Sequence, residues 1–114
     1  MINCPDKWVV VKVSKVSEEQ DRTYKVFACW NGSYIDGVSW QLNSGITSVT
    51  DKGAAYEFAG YSGSIYRCNK TRYGLHSYGS SVLDKLVKDA AEAGVLVETL
   101  DADTDFLKLK YEYV

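Results

Sequence analysis

From Trp8 to Val13 the chain carries valine at positions 9, 10, 11 and 13 with only Lys12 interrupting, and β-branching at that density stiffens a segment toward strand. Because the run is apolar at consecutive positions, it predicts a central strand. Polar and charged residues fill Ser14 to Arg22, which predicts a solvated loop. Tyr24, Val26, Ala28 and Trp30 then alternate with Lys25, Phe27 and Cys29, a second strand. Asn31-Gly32 follows directly. A type I′ turn needs positive φ at both central residues, so this dipeptide predicts a tight hairpin with Ser33 to Leu42 returning antiparallel and Gly37 marking a bulge.

Turn signals recur at Asn43-Ser44-Gly45, Asp51-Lys52-Gly53 and Tyr61-Ser62-Gly63-Ser64. Between and after them, Ile46 to Thr50, Ala54 to Ala59 and Ser64 to Cys68 have strand length, which predicts a meander of short hairpins. Asn69 to Ser80 has no period and reads as a loop. Helical spacing occurs once: Val82, Leu83, Leu86, Val87, Ala90 and Ala91 form an apolar stripe opposite Lys85, Lys88, Asp89 and Glu92. Ser81 three residues before Asp84 makes a variant capping box and Gly94 supplies a left-handed end, so the predicted helix spans 82–93. Val95 to Leu100 is apolar and Phe106 to Val114 alternates, predicting two strands around an acidic turn at 101–105. The expected class is α+β: a mostly antiparallel β meander, one helix at about 82–93 packed on the sheet, then a β-hairpin. No repeat, linker or low-complexity stretch divides residues 1–114, and one domain is expected.

Composition adds a core to this picture without requiring a staple. Apolar residues make up 46% and charged residues 25% of 114, far from the balance that keeps chains disordered, and a chain this long hides roughly 65% of its unfolded surface. Nine tyrosines and three tryptophans against one proline favour strands. Cys4, Cys29 and Cys68 are an odd number with no C-x-x-C spacing, which argues against a disulfide framework or a zinc knuckle and fits a reducing cytoplasm. No apolar run reaches the length of a membrane span and no signal pattern opens the chain, so no membrane association is expected.

Charge narrows the chemistry. The net charge of −2 sets up no field for a polyanion. Locally, Tyr66, Arg67, Lys70, Arg72, Tyr73, His76 and Tyr78 interleave cations and rings without an acid nearby in sequence. Three firm charges hold nucleic acid weakly at physiological salt, but one bidentate arginine with loop N–H groups can hold a nucleotide-like or other small anion, so Arg67, Lys70, Arg72, Tyr73 and His76 are candidate ligand residues. Trp30, Tyr34 and Trp40 cluster around the Asn31-Gly32 turn and are candidate interface anchors if exposed; packing across the hairpin is their commoner use.

Catalytic and metal motifs fail on context. Asp101, Asp103, Asp105 and Glu112 match calcium-loop positions, but Phe106 stands where glycine must make the sharp turn. Gly60-Tyr61-Ser62-Gly63-Ser64 resembles a nucleophile elbow, yet leads into a strand and lacks the final glycine. Cys68 with His76, the only histidine, is a combination most chains of this size offer. No catalytic residue, metal site or cofactor is expected.

The segments YKVFACWNGSYIDGVSWQLNSGITSV and YEFAGYSGSIYRCNKTRYG, somewhat under half of the chain, resemble small uncharacterised proteins of large tailed bacteriophages, including marine cyanophages. The resemblance implies a viral accessory protein in a host cytoplasm that binds a host protein or sequesters a signalling molecule, and it carries no chemistry to any residue. The leading expectation is a non-enzymatic interaction protein binding a protein partner or its own copy. The alternative is a binder of a small anion through residues 61–78.

Overall fold

A computed structural model describes residues 2–31 and 39–111, with side chains described at all of these except 18–21. Eight strands and one helix follow in the order β1 (Ile2–Asn3), β2 (Lys7–Lys15), β3 (Glu18–Trp30), β4 (Ser39–Leu42), β5 (Ile46–Asp51), β6 (Ala55–Gly60), β7 (Ile65–Asn69), α1 (Ser77–Glu92) and β8 (Val95–Thr99). The fold is α+β, as the pattern predicts. One sheet runs β1-β7-β6-β5 and the other β4-β3-β2-β8, all neighbours antiparallel except the parallel pair β1 and β7. Among the described residues no helix is long and apolar enough to cross a membrane.

The valine run is explained by burial on both faces of β2. Trp8 and Val10 of β2, with Tyr24, Val26 and Ala28 of β3, face the first sheet and pack against Phe58, Tyr66 and Cys68. Val9 and Val11, with Phe27 and Cys29, face the helix and meet Leu83. Successive side chains of a strand point to opposite faces, so a strand between two apolar layers must be apolar at every position. The antiparallel register Val9↔Phe27, Val10↔Val26, Val11↔Lys25 keeps both sets aligned. Three layers result: sheet, sheet, helix.

Five expectations are corrected. Ser14 to Arg22 is a hairpin rather than a loop: β2 reaches Lys15, β3 starts at Glu18, and Ser14 pairs with Arg22. Backbone pairing carries these strands beyond the apolar core, so their polar side chains hide them from a hydrophobicity reading. The two-residue turn at Asn31-Gly32 is also replaced, because Trp30 pairs with Ser39 and not with Ser33. That register is held from its far end, where the Asn43 N–H donates to Val26 O at 3.0 Å and its Oδ1 accepts from the Val26 N–H at 2.9 Å. Gly32, the bulge expected at Gly37 and the start of the returning strand lie outside the described residues.

The helix begins at Ser77, five residues early, behind His76 as N-cap, so Ser81 lies inside it and Ser81 and Asp84 form no capping box. The residues expected to be a loop hold a 3-10 turn at Lys70–Arg72, a bridge from Gly74 to Trp8 and this first helical turn. Tertiary contact overrides the missing stripe here: Gly79 is buried, and a Cβ on it would stand 2.8 Å from Cys29 Sγ. Only a side chain of hydrogen lets the helix approach β3 this closely. The other end follows expectation, with Gly94 at φ +80°.

Finally, the second strand of the C-terminal hairpin is absent through residue 111. The Asp105 carboxylate accepts from the Leu107 N–H and the Asp105 carbonyl from the Lys108 N–H, which folds the chain back on itself. Phe106 instead fills the space between the sheets, 2% exposed, with ring centroids 5.6 Å from Trp8 and 5.9 Å from Phe58. Tyr111 closes the same core and its hydroxyl donates to Phe106 O.

The contact of Gly79 with Cys29 yields a double-mutant cycle. Gly79→Ala gains helix propensity of about 1 kcal/mol but overpacks the sulfur, so urea unfolding should show a net loss of about 1–2 kcal/mol. In a Cys29→Ala background the same change should be neutral or stabilising. An equal loss in both backgrounds would contradict the contact.

Candidate functional site

The residues 61–78 are dispersed by the fold. Arg67 stands opposite Glu57 in the ladder, and its Nε and guanidinium tip lie 2.8 and 2.7 Å from Glu57 Oε2. Lys70 lies 2.8 Å from Asp51 Oδ1 and over the ring of Tyr56 at 4.6 Å. The hydrogen bond from Lys70, followed by one from the Gly53 N–H, holds the Asp51 carboxyl below the usual carboxylate range. His76 is exposed at the start of the helix and makes no side-chain cap.

Tyr73 is part of the core. Its hydroxyl donates to Leu100 O at 2.6 Å and accepts from the Val10 N–H at 3.2 Å, bridging β2 to the chain just beyond β8. Its ring stands edge-on to Trp8 at 4.7 Å, and burial pushes the phenol up from its ordinary value. Of the five candidate ligand residues, only Arg67 and Arg72 share a depression, about 430 Å³, which Asn69, Cys4 and Asp6 also line. Arg72 has no carboxylate partner among the described residues. The Asp6 carboxylate accepts from the Asn31 N–H at 2.7 Å, so this depression contains one acid beside two arginines.

The tryptophans fare differently: Trp30 and Trp40 both line one groove, from opposite faces of the β3–β4 edge, Trp30 toward the first sheet and Trp40 beside Phe27 on the helix face. The groove measures about 380 Å³ and is lined also by Ile2, Cys4 and Gln41, where the edge strand β1 of one sheet meets the edge strand β4 of the other. Two hydrogen bonds join the sheets beside it, one from β3 to the chain after β1 and one from β7 to β4. Trp30 Nε1 donates to Cys4 O at 3.0 Å, and the Tyr66 hydroxyl donates to Gln41 Oε1 at 3.1 Å. Trp40 is 37% exposed and stacks on buried Phe27, ring centroids 5.5 Å apart at an interplanar angle of 20°. Ile2 and Leu42 are also exposed. Tyr34 lies outside the described residues.

β4 presents its backbone as well as its side chains. Hydrogen-bonded pairs alternate along an antiparallel ladder, and counting from the Asn43 to Val26 bond puts Gln41 and Ser39 in such pairs with β3. The N–H and C=O groups of Trp40 and Leu42 therefore point away from β3, where no strand among the described residues pairs with them. Ile2 and Cys4 belong to this groove through the parallel pairing of β1 with β7, which no local pattern announces. Leu42 carried a legible signal, standing two residues after Trp40 and hence on its face.

The other reactive groups are occupied or covered. Ser62 Oγ lies 3.2 Å from Ser44 Oγ and 3.4 Å from Ser64 Oγ. Cys68 is fully buried, and burial, with the neighbouring Cys4 thiol adding to it, pushes its thiol far up from the ordinary value. Burial likewise raises Cys29. Among the described residues no three His, Cys, Asp or Glu side chains gather as a metal set.

The thiolate is the reactive form, and exposure governs access to it. Iodoacetamide at pH 8 should therefore alkylate Cys4 alone in the native protein and all three cysteines in urea, as read by peptide mass spectrometry. Native labelling of Cys68 at the rate of Cys4 would contradict the burial described. No protein-family model, curated protein or solved structure matches this chain, which leaves its own geometry as the ground for a functional reading.

Proposed function

We propose that the protein is a non-enzymatic interaction module, and that the groove between β1 and β4 binds a partner protein or a second copy of the chain. The observation that carries this is Trp40, an exposed tryptophan held flat against Phe27 on a sheet edge whose four residues are all exposed. Tryptophan anchors dominate interface energetics, and one already fixed by stacking loses little freedom on binding. An extended segment can add to the outward groups of Trp40 and Leu42 as a further strand, with its alternate side chains beside theirs. The phage-like texture of the sequence fits a host protein as that partner, with the host cytoplasm as the place of action.

A second reading rests on one observation, the shared depression of Arg67 and Arg72. A nucleotide-like anion would sit between them, with Arg72 its principal contact because Arg67 is already paired with Glu57. The opposing acid, Asp6, makes this the weaker site.

One set of variants separates the two. Protein bearing Trp40→Glu should keep its thermal midpoint within a few degrees and lose a lysate partner, or its own dimer, by about 2 kcal/mol, roughly thirtyfold. Nucleotides at 100 times their dissociation constant would stabilise the wild type by about 2.7 kcal/mol if the second reading held. A partner retained equally by Trp40→Glu, together with nucleotide stabilisation abolished by Arg72→Ala, would reverse the order of the readings.

A further inference from the structure

The helix covers its sheet incompletely. Between α1 and that sheet lies a crevice of about 200 Å³. Buried Val11 and Leu83 form its depth, and half-buried Val13, Leu86 and Val97 its sides, with exposed Leu42 at the rim. Lys25 is the one charged residue lining it. Its register partner is Val11, which places its side chain on the helix face of the sheet between apolar neighbours. It is half-buried and has no carboxylate partner among the described residues.

We infer that this crevice binds the tail of a small amphiphile, a straight-chain carboxylate, with the head group held by the Lys25 ammonium. Valine and leucine side chains in contact with water gain when a hydrocarbon covers them. Size limits the tail. A dry apolar cavity of about 150 Å³ holds benzene, so this one takes roughly six to eight carbons, well short of a drug-sized ligand. Charge decides the head, since an ammonium emerging from apolar walls is neutralised by an anion, gains only a weaker hydrogen bond from an alcohol, and repels a protonated amine. The crevice shares exposed Leu42 with the β4 edge, its other lining residues are distinct from those of the tryptophan groove, and the inference does not rest on that groove's function.

Titration of the intact protein with butanoate, hexanoate, octanoate and 1-hexanol, followed by methyl NMR shifts, tests the assignment. Shifts should be confined to Val13, Leu86, Val97 and their neighbours, and affinity should rise about fourfold per methylene until the crevice is full. Lys25→Gln should weaken octanoate about tenfold and change 1-hexanol less than about twofold, because the glutamine amide still donates to a hydroxyl but carries no charge. Ala90→Leu, which adds bulk to the lining, should remove both. Undisturbed methyls at millimolar octanoate, or equal octanoate binding by Lys25→Gln, would overturn the proposal. The Lys25→Gln arm stands by itself if Ala90→Leu fails to fold.

Discussion

Everything in this molecule hangs on the pairing of β2 with β3 and its burial from both sides. Trp8, Val10, Val26 and Ala28 serve one core while Val9, Val11, Phe27 and Cys29 serve the other. Slipping the register by one residue would exchange the two sets and send Trp8 toward the helix. Each outer layer is attached through this pair. The helix meets it at Gly79 and Leu83, and the other sheet meets it through Phe58, Tyr66 and the Phe106 plug.

Polar groups close the places where regular pairing stops. Tyr73 bridges Val10 to Leu100 with one hydroxyl, and Asn43 extends the β3 ladder through its side chain as the chain leaves for the opposite sheet. Buried hydrogen-bonding groups left unmatched are costly, so these two residues are held by structural duties. This is why the aromatic and cationic texture of 61–78 does not gather into one site: Tyr73 is a strut, Arg67 and Lys70 answer Glu57 and Asp51, and of the five candidates only Arg67 and Arg72 share a depression. The fold leaves its edges open, and Ile2, Trp40 and Leu42 are exposed there, while Val16, Tyr61, Tyr78 and Leu107 are exposed singly elsewhere.

Patterns that depend on one element alone were legible in the chain. The strands at Trp8 to Val13 and Tyr24 to Trp30, the three hairpin strands and Gly94 as helix terminus all follow from local spacing. Features that depend on a partner element were not. Ser77 to Ser81 is helical because Gly79 fits Cys29, and the C-terminal alternation became a plug because Asp105 turns the chain and the inter-sheet space needed Phe106. The candidate site divides the same way. Trp30 and Trp40 were found from the sequence, whereas Ile2 joined them only through its parallel pairing with Ile65.

Native-state hydrogen exchange tests the two-sided pairing most directly. The amides of Val9 to Val11 and Phe27 to Cys29 should exchange only by global unfolding, while those of Trp40 and Leu42, facing away from β3, should exchange many orders of magnitude faster. Equal protection across β2, β3 and β4, or early exchange at Val10, would contradict it.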